Sequence, residues 1–383
     1  MLEMLRKRIC FVVAVPGTAD AFMRDHINVL RQDYDVYLAG NIVDAAQVSR
    51  LNINGWQHVD ILRPISLIND LKTVFQLYRY LKKMQFDAVH SITPKAGLVC
   101  SLAAWLAGVK HRTHIYTGQV WATRRGVMRW LLMLCDKITA LFDNHILVDG
   151  EPQRQFLIKN RIISDKNSLV LGSGSISGVN TLRFTPCEDV RKEVRLELGV
   201  SDEHVVFCFM GRQNSEKGIY ELYTAFNKLA AEMPNVILLM FGSDEENCMS
   251  HLPEYANVKP GENFIFYGKT STPEKHLQGA DVFCMPSYRE GFGTSVIEAS
   301  CLGIPVICSD IYGLQDAMVD GVTGLQCKVA DVDSLYDSMK FFVENREVGK
   351  EYGANGRTRV LTYFAGEVIS QHWYQWYHSL LSK

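Results

Sequence analysis

Val205-Val206-Phe207-Cys208-Phe209-Met210-Gly211-Arg212 is the stretch that decides the fold class. Six apolar residues in succession end at a glycine, and a helical pattern begins near Tyr220. A strand with one wet face alternates apolar and polar residues. An unbroken apolar run needs cover on both faces, the condition of a parallel sheet flanked by helices. The signature recurs at residues 9–15 and 236–241. Leu67, Leu71, Val74, Leu77 and Leu81 recur at helical spacing and stop before the next strand, Asp87-Ala88-Val89-His90. The pattern predicts an α/β chain, with one βα set up to about residue 170 and a second from about residue 203.

The one Gly/Ser-rich stretch, Gly172-Ser173-Gly174-Ser175-Ile176-Ser177-Gly178-Val179-Asn180, separates the two sets. It predicts a domain at 1–172, a hinge and linker at 173–202 and a second domain at 203–365, with 366–383 crossing back to the first. Two doubly wound domains would turn the loops at their strand C-termini toward one interdomain cleft. The last helical pattern carries Trp373, Tyr374, Trp376 and Tyr377, rings expected to pack that helix across both domains.

Composition bounds the class. The 383 residues are 47% hydrophobic and 21% charged, as in a soluble globular chain. The net charge of -2 argues against a nucleic-acid partner, yet it hides an asymmetry. Residues 1–172 hold 22 Lys+Arg against 14 Asp+Glu, and residues 173–383 hold 18 against 28. A basic front half suits an anionic membrane surface or a phosphorylated substrate. Ten cysteines without C-x-x-C spacing, several inside apolar runs, read as buried thiols of a reducing compartment. Met1 to Arg8 is too short and polar for a leader, and no run of about 18 apolar residues is present to span a membrane.

Two motifs carry chemistry. In Glu290-Gly291-Phe292-Gly293-Thr294-Ser295-Val296-Ile297-Glu298, one carboxylate sits in a loop and the other one turn into a helix on the same face as Thr294. Gly291 and Gly293 admit close backbone approach. The N–H groups of Thr294, Ser295 and Val296 would open the helix toward an anion. The layout suits a sugar nucleotide, with amides for phosphate and carboxylates for a diol and for sugar hydroxyls. The second motif, Gly211-Arg212-Gln213-Asn214-Ser215-Glu216-Lys217-Gly218, offers a guanidinium fork and an ammonium at a helix mouth. These two cations are placed to stabilise a leaving diphosphate.

These motifs, in this order, resemble the retaining glycosyltransferases of family 4, which have the GT-B fold of two doubly wound Rossmann-like domains. The likeness spans nearly the whole chain. It also takes in Phe241-Gly242-Ser243, Tyr267-Gly268-Lys269, Met285-Pro286-Ser287, Gly303-Ile304-Pro305 and Gly321-Val322-Thr323-Gly324. The resemblance implies that Arg212 and Lys217 hold the diphosphate, that Glu290 contacts the donor sugar, and that Glu298 holds the ribose. It also implies that Phe292 to Thr294 bind sugar hydroxyls and phosphate, and that Gly268-Lys269-Thr270 frames the base, by resemblance uracil. Gly211, Gly242 and Gly17 would let backbone approach the donor.

Within the family, Phe86 to Gly97 and Gly172 to Phe184 resemble a branch that builds capsular and lipopolysaccharide chains on polyprenyl-diphosphate lipids. That implies a nucleotide-sugar donor, a lipid-linked saccharide acceptor and a site on the cytoplasmic face of the membrane. Thr18, Lys95 and Gln119 are the acceptor-side candidates. Where many relatives carry histidine after the strand Thr113-His114-Ile115-Tyr116-Thr117, this chain has Gln119, which donates hydrogen bonds but is no base. No side-chain base is assigned.

No cofactor or metal is expected; Asp33-Tyr34-Asp35 and Asp331-Val332-Asp333 read as chance carboxylate spacings. Arg124 to Lys137 combines cations with Trp and Leu at helical spacing. It reads either as a helix lying on an anionic membrane or as one whose apolar stripe faces the domain core. Two other functions keep the fold: a sugar-nucleotide epimerase and a non-catalytic partner subunit.

Overall fold

The computed structural model describes residues 6–62, 64 and 66–382. The reading of the N-terminus rests partly on residues 1–5, which lie outside that set. The chain divides into two compact units, 1–177 with 366–383, and 178–365.

Unit 1 is a seven-stranded parallel sheet of β1 (Arg8–Val13), β2 (Asp35–Gly40), β3 (Gly55–His58), β4 (Ala88–Ile92), β5 (His111–Tyr116), β6 (His145–Val148) and β7 (Ser168–Leu169), in the order 3-2-1-4-5-6-7. Its helices are α1 (Pro16–Phe22), α2 (Arg24–Leu30), α3 (Leu67–Met84), α4 (Pro94–Ala107), α5 (Gly126–Phe142) and α6 (Glu151–Lys159). Unit 2 is a six-stranded parallel sheet of β8 (Val205–Met210), β9 (Val236–Phe241), β10 (Phe264–Gly268), β11 (Val282–Met285), β12 (Val306–Ser309) and β13 (Gly324–Cys327), in the order 10-9-8-11-12-13. It contains α7 (Glu188–Glu197), α8 (Ile219–Glu232), α9 (Pro273–His276), α10 (Thr294–Cys301), α11 (Val332–Glu344) and α12 (Arg346–Tyr363). The last helix, α13 (Gly366–Leu381), belongs to unit 1.

The apolar runs that predicted parallel strands are β1, β8 and β9, and every residue of β9 is buried. In each sheet the strand order reverses beside the first strand of the unit, between β1 and β4 and between β8 and β11. Loops that leave the carboxyl ends of strands at such a reversal diverge to opposite faces and leave a crevice for a ligand.

One detail differs from the sequence reading. Residues 188–197, inside the segment read as hinge and linker, form α7, and Arg191 and Arg195 of that helix bond Asp281 of unit 2 at 2.6 and 3.1 Å. Only Val194 and Arg195 of this helix are buried; seven of its ten residues are charged, and Val190 and Val194 form a narrow apolar face. On α13, Trp373 and Tyr377 meet Phe11 and His90 of unit 1, and Trp373 stacks on His26 at 4.7 Å.

Candidate functional site

The loops at the carboxyl ends of β8, β9, β10 and β11 are stitched together by backbone. Gln213 N–H donates to Ser243 O at 2.8 Å, Glu245 N–H to Gln213 O at 3.1 Å, Gly242 N–H to Gly268 O at 2.8 Å, and Tyr288 N–H to Glu216 O at 2.9 Å. Gly242 shows why this register needs glycine. Its φ is +124°, and a Cβ there would fall 1.8 Å from the carbonyl oxygen of Gly211.

Within this frame the chain pairs its predicted cations with carboxylates. Lys217 closes a short 3₁₀ turn (Ser215–Lys217) and places its Nζ on Glu290 Oε1, which also accepts from Ser287 Oγ at 2.8 Å. The Lys217 and Glu290 side chains are mostly buried. Arg212 is exposed, and its Nη1 reaches Glu245 Oε2 at 3.1 Å. Asn214 donates to the same oxygen at 3.2 Å. Arg289 pairs with Glu216 at 2.9 Å.

Gly293 caps α10 in the left-handed region at φ +76°, so the helix starts where the motif predicted. Of the three N–H groups expected to face an anion, that of Val296 is used within the turn and donates to Gly293 O at 2.9 Å. The tight cap curls the chain back on itself and takes that donor. Among the described residues the N–H groups of Thr294 and Ser295 have no protein partner, which leaves two donors at the helix mouth.

Glu298, half-buried in the first turns of α10, has its carboxyl pushed up to about 7. Desolvation is the main cause; the positive charge of Arg183 opposes it and Glu274 adds to it. Arg183 sits between these parts, with Nη2 on Ser271 O at 3.0 Å and on Glu274 at 2.7 Å. The loop with Gly268 and Lys269 continues to Thr270, which bonds His276 Nδ1 at 3.1 Å, and Lys269 is exposed. Phe292 is buried, so only its backbone is open to a ligand.

The remaining candidates belong to unit 1. Gly17 and Thr18 open α1, and Gly17 is exposed with nothing near its Cα. Lys95 lies in the first turn of α4, where its Nζ bonds Asp70 at 2.6 Å and Pro64 O at 3.2 Å. That charge is committed to holding α3 against α4. Gln119 is buried and accepts from Gln153 at 3.3 Å. His114 is packed in its strand, with Nδ1 on Ser91 Oγ at 2.8 Å.

The sequence reading missed Ser287, Glu245 and Arg183. Ser287 stood inside a quoted motif without a role and Glu245 beside one, but no spacing rule links residue 245 to 212 or residue 183 to 274. Among the described residues no group of three or more metal-ligating side chains occurs. Asp331 caps α11, and Asp333 pairs with Lys228. A cavity of about 420 Å³ opens at the opposite edge of the unit 2 sheet, and its Arg191 and Asp281 are already paired.

Arranged in this way, unit 2 gathers paired cations, two helix-mouth amides and the carboxylates of Glu290 and Glu298. Comparison with known proteins places it. Residues 190–359 match the family described as glycosyl transferases group 1. The chain is 27% identical over 362 residues to the capsular polysaccharide biosynthesis glycosyltransferase CapM of Staphylococcus aureus, covering 94% of each chain. It is 25% identical to the UDP-Gal:alpha-D-GlcNAc-diphosphoundecaprenol alpha-1,3-galactosyltransferase of Escherichia coli, over 73% of this chain and 72% of that one. Among solved structures it resembles sucrose-phosphate synthase from Thermosynechococcus elongatus (TM-score 0.81, 20% identity, 98% and 100% covered). It also resembles Anabaena HepE in complex with UDP (TM-score 0.78, 16% identity, 98% and 100% covered). The chain has the GT-B fold. Unit 2 carries its glycosyl transferases group 1 domain.

Proposed function

We propose that this chain is a retaining transferase that moves a sugar from a UDP-sugar to a polyprenyl-diphosphate-linked saccharide in bacterial surface polysaccharide synthesis. The supporting observation is the juxtaposition of Lys217, Glu290 and Ser287 beside the mouth of α10, which carries Glu298. The relatives' own donors and acceptors, UDP-galactose and diphosphoundecaprenol-linked sugars in the Escherichia coli protein, support the substrate classes. The Campylobacter jejuni relative is likewise a diphospho-undecaprenol N-acetylgalactosaminyltransferase.

In this reading the donor diphosphate takes the place of carboxylate partners. Lys217 turns from Glu290 toward phosphate oxygen, and Arg212 turns from Glu245. Glu290 then accepts hydrogen bonds from sugar hydroxyls, and Glu298 accepts them from the ribose diol. The acceptor hydroxyl attacks the anomeric carbon on the face from which the diphosphate leaves. The anomeric C–O bond to diphosphate breaks, the new glycosidic C–O bond forms, and the leaving oxygen takes the acceptor proton. That route needs no side-chain base and agrees with glutamine at position 119. The two cations supply positive charge where negative charge grows, a contribution of several kcal/mol when preorganised. A lipid-linked acceptor places the enzyme at the inner face of the cell membrane in peripheral contact with it. No helix among the described residues is long and apolar enough to cross it.

Incubation with labelled UDP-sugars, with and without a lipid-linked acceptor, tests this. Transfer to the lipid with retained anomeric configuration is expected. Epimerised nucleotide would indicate an epimerase, and binding without turnover would indicate a partner subunit.

A further inference from the structure

The outer face of unit 1 carries more exposed apolar surface than a soluble sheet cover needs. On α3, Leu67 is 78% exposed, and Ile68, Leu71 and Phe75 are exposed with it. On α5, Val127 is 85% exposed and Trp130 68%, and Leu131 and Leu134 continue the stripe at helical spacing. Exposed single apolar residues are ordinary, but two stripes of this size on neighbouring helices are not.

Three observations bring the stripes together and say what covers them. First, α3 and α5 both pack on α4, and Lys95 of α4 bonds Asp70 of α3. The two helices therefore flank α4. Second, in a parallel sheet each of these helices begins where β3, β4 and β5 end. The stripes, which lie in the first half of α3 and of α5, therefore sit at the same edge as Gly17, Thr18 and Gln119. Third, the charge is one-sided. Lys72, Arg79, Arg125 and Lys137 are exposed on or beside these helices. The acidic residues of the two helices are Asp70, paired with Lys95, and Asp136, buried and bonded to Trp121 Nε1 at 2.7 Å.

We propose that the apolar stripes of α3 and α5 form one docking surface for an anionic lipid bilayer, beside the acceptor-side loops of unit 1. The inference rests on the reading of the acceptor as lipid-linked and names the face that meets the lipid. Leucine, phenylalanine and tryptophan side chains enter the headgroup boundary, while the flanking lysines and arginines meet lipid phosphate. The cationic border favours lipid phosphate over a second copy of the same face, whose border would carry the same charge.

Co-sedimentation of the full chain with vesicles of neutral phosphatidylcholine, and with vesicles containing 30% phosphatidylglycerol (about the fraction that gives a strong surface potential), tests it. The expected result is binding to the anionic vesicles that falls in high salt. Leu71→Glu/Phe75→Glu on α3 and Trp130→Glu/Leu134→Glu on α5 should each weaken it by about tenfold or more. Arg125→Gln should weaken it by about fivefold, the effect of one lost cation. Binding of UDP-sugar, followed in parallel by thermal shift, should stay unchanged in all three. Absence of anionic-vesicle binding overturns the surface, as does full binding by either apolar double variant. Loss of self-association in solution on the same substitutions would assign the surface to a second copy and also overturn it. Failure to bind UDP-sugar would count against the catalytic reading alone.

Discussion

Glu298→Gln should stabilise this protein above neutral pH while weakening its grip on the donor. The carboxyl is raised from 4.5 to about 7, chiefly by desolvation. An acid with a raised folded-state pKa binds its proton more tightly folded than unfolded, so stability falls as pH rises from about 4.5 to about 7 and is constant above. The rise corresponds to a ceiling of about 3 kcal/mol at 1.36 kcal/mol per unit. Partial exposure reduces it, so we expect about 1–3 kcal/mol. Glutamine keeps the shape and removes the charge. The variant should match the native chain near pH 4.5 and exceed it in unfolding free energy at pH 8. Donor affinity should move the other way. A charge-assisted bond to a diol contributes about 1.5–3 kcal/mol, so UDP-sugar should bind roughly tenfold to a hundredfold more weakly. In the native chain donor binding should strengthen as pH rises through about 7. Urea unfolding of both proteins at several pH values, with calorimetric donor titrations, measures all three. Equal stability at pH 8, or unaltered donor affinity, refutes the assignment of Glu298 as a desolvated ribose ligand.

Three other substitutions separate chemistry from scaffold. Lys217→Ala should lower kcat by about 10²–10³, read in the labelled-sugar assay; near-normal turnover removes Lys217 from the diphosphate site. It should also destabilise unit 2 by leaving Glu290 with Ser287 alone, and adding Glu290→Gln should restore stability without restoring rate. Gly242→Ala should abolish donor binding through backbone collision with Gly211, while an Ala at exposed Gly199 should leave donor binding intact; equal behaviour of the two contradicts the stitched-loop geometry. In unit 1, burial lowers His26 to about 4 and His114 to about 3, so each loses stability as pH falls from about 6.5 toward those values. His26 also bonds Ser370 of α13 at 2.9 Å. A His26→Gln chain should show a flatter fall in tryptophan-detected stability between pH 6.5 and 4.5, and a parallel curve would exclude His26 as the sensor.

What the sequence disclosed depends on the range of the interaction. Residues 205–210 and 236–241 announced buried parallel strands because local composition reports burial on both faces. Glu290 and Glu298 were legible because loop and helix are contiguous. The pairing of Lys95 with Asp70, of Arg212 with Glu245 and of Arg183 with Glu274 joins segments apart in sequence, and nothing local encodes such pairings. Helical periodicity stops short in an instructive place. Leu67, Leu71, Val74, Leu77 and Leu81 have the spacing of one core stripe, yet only the last three are buried. Periodicity says that a helix exists and has an apolar face; it does not say how many of its turns find cover. At 1.5 Å per residue an 18-residue helix runs about 27 Å, whereas a five-residue strand such as β4 supplies about 17 Å. The helix is thus longer than such a strand, and its buried positions begin only at Thr73. An apolar stripe kept there, at the edge where substrate loops gather, is the surface that the proposed bilayer would cover, and its cationic border suits an anionic one.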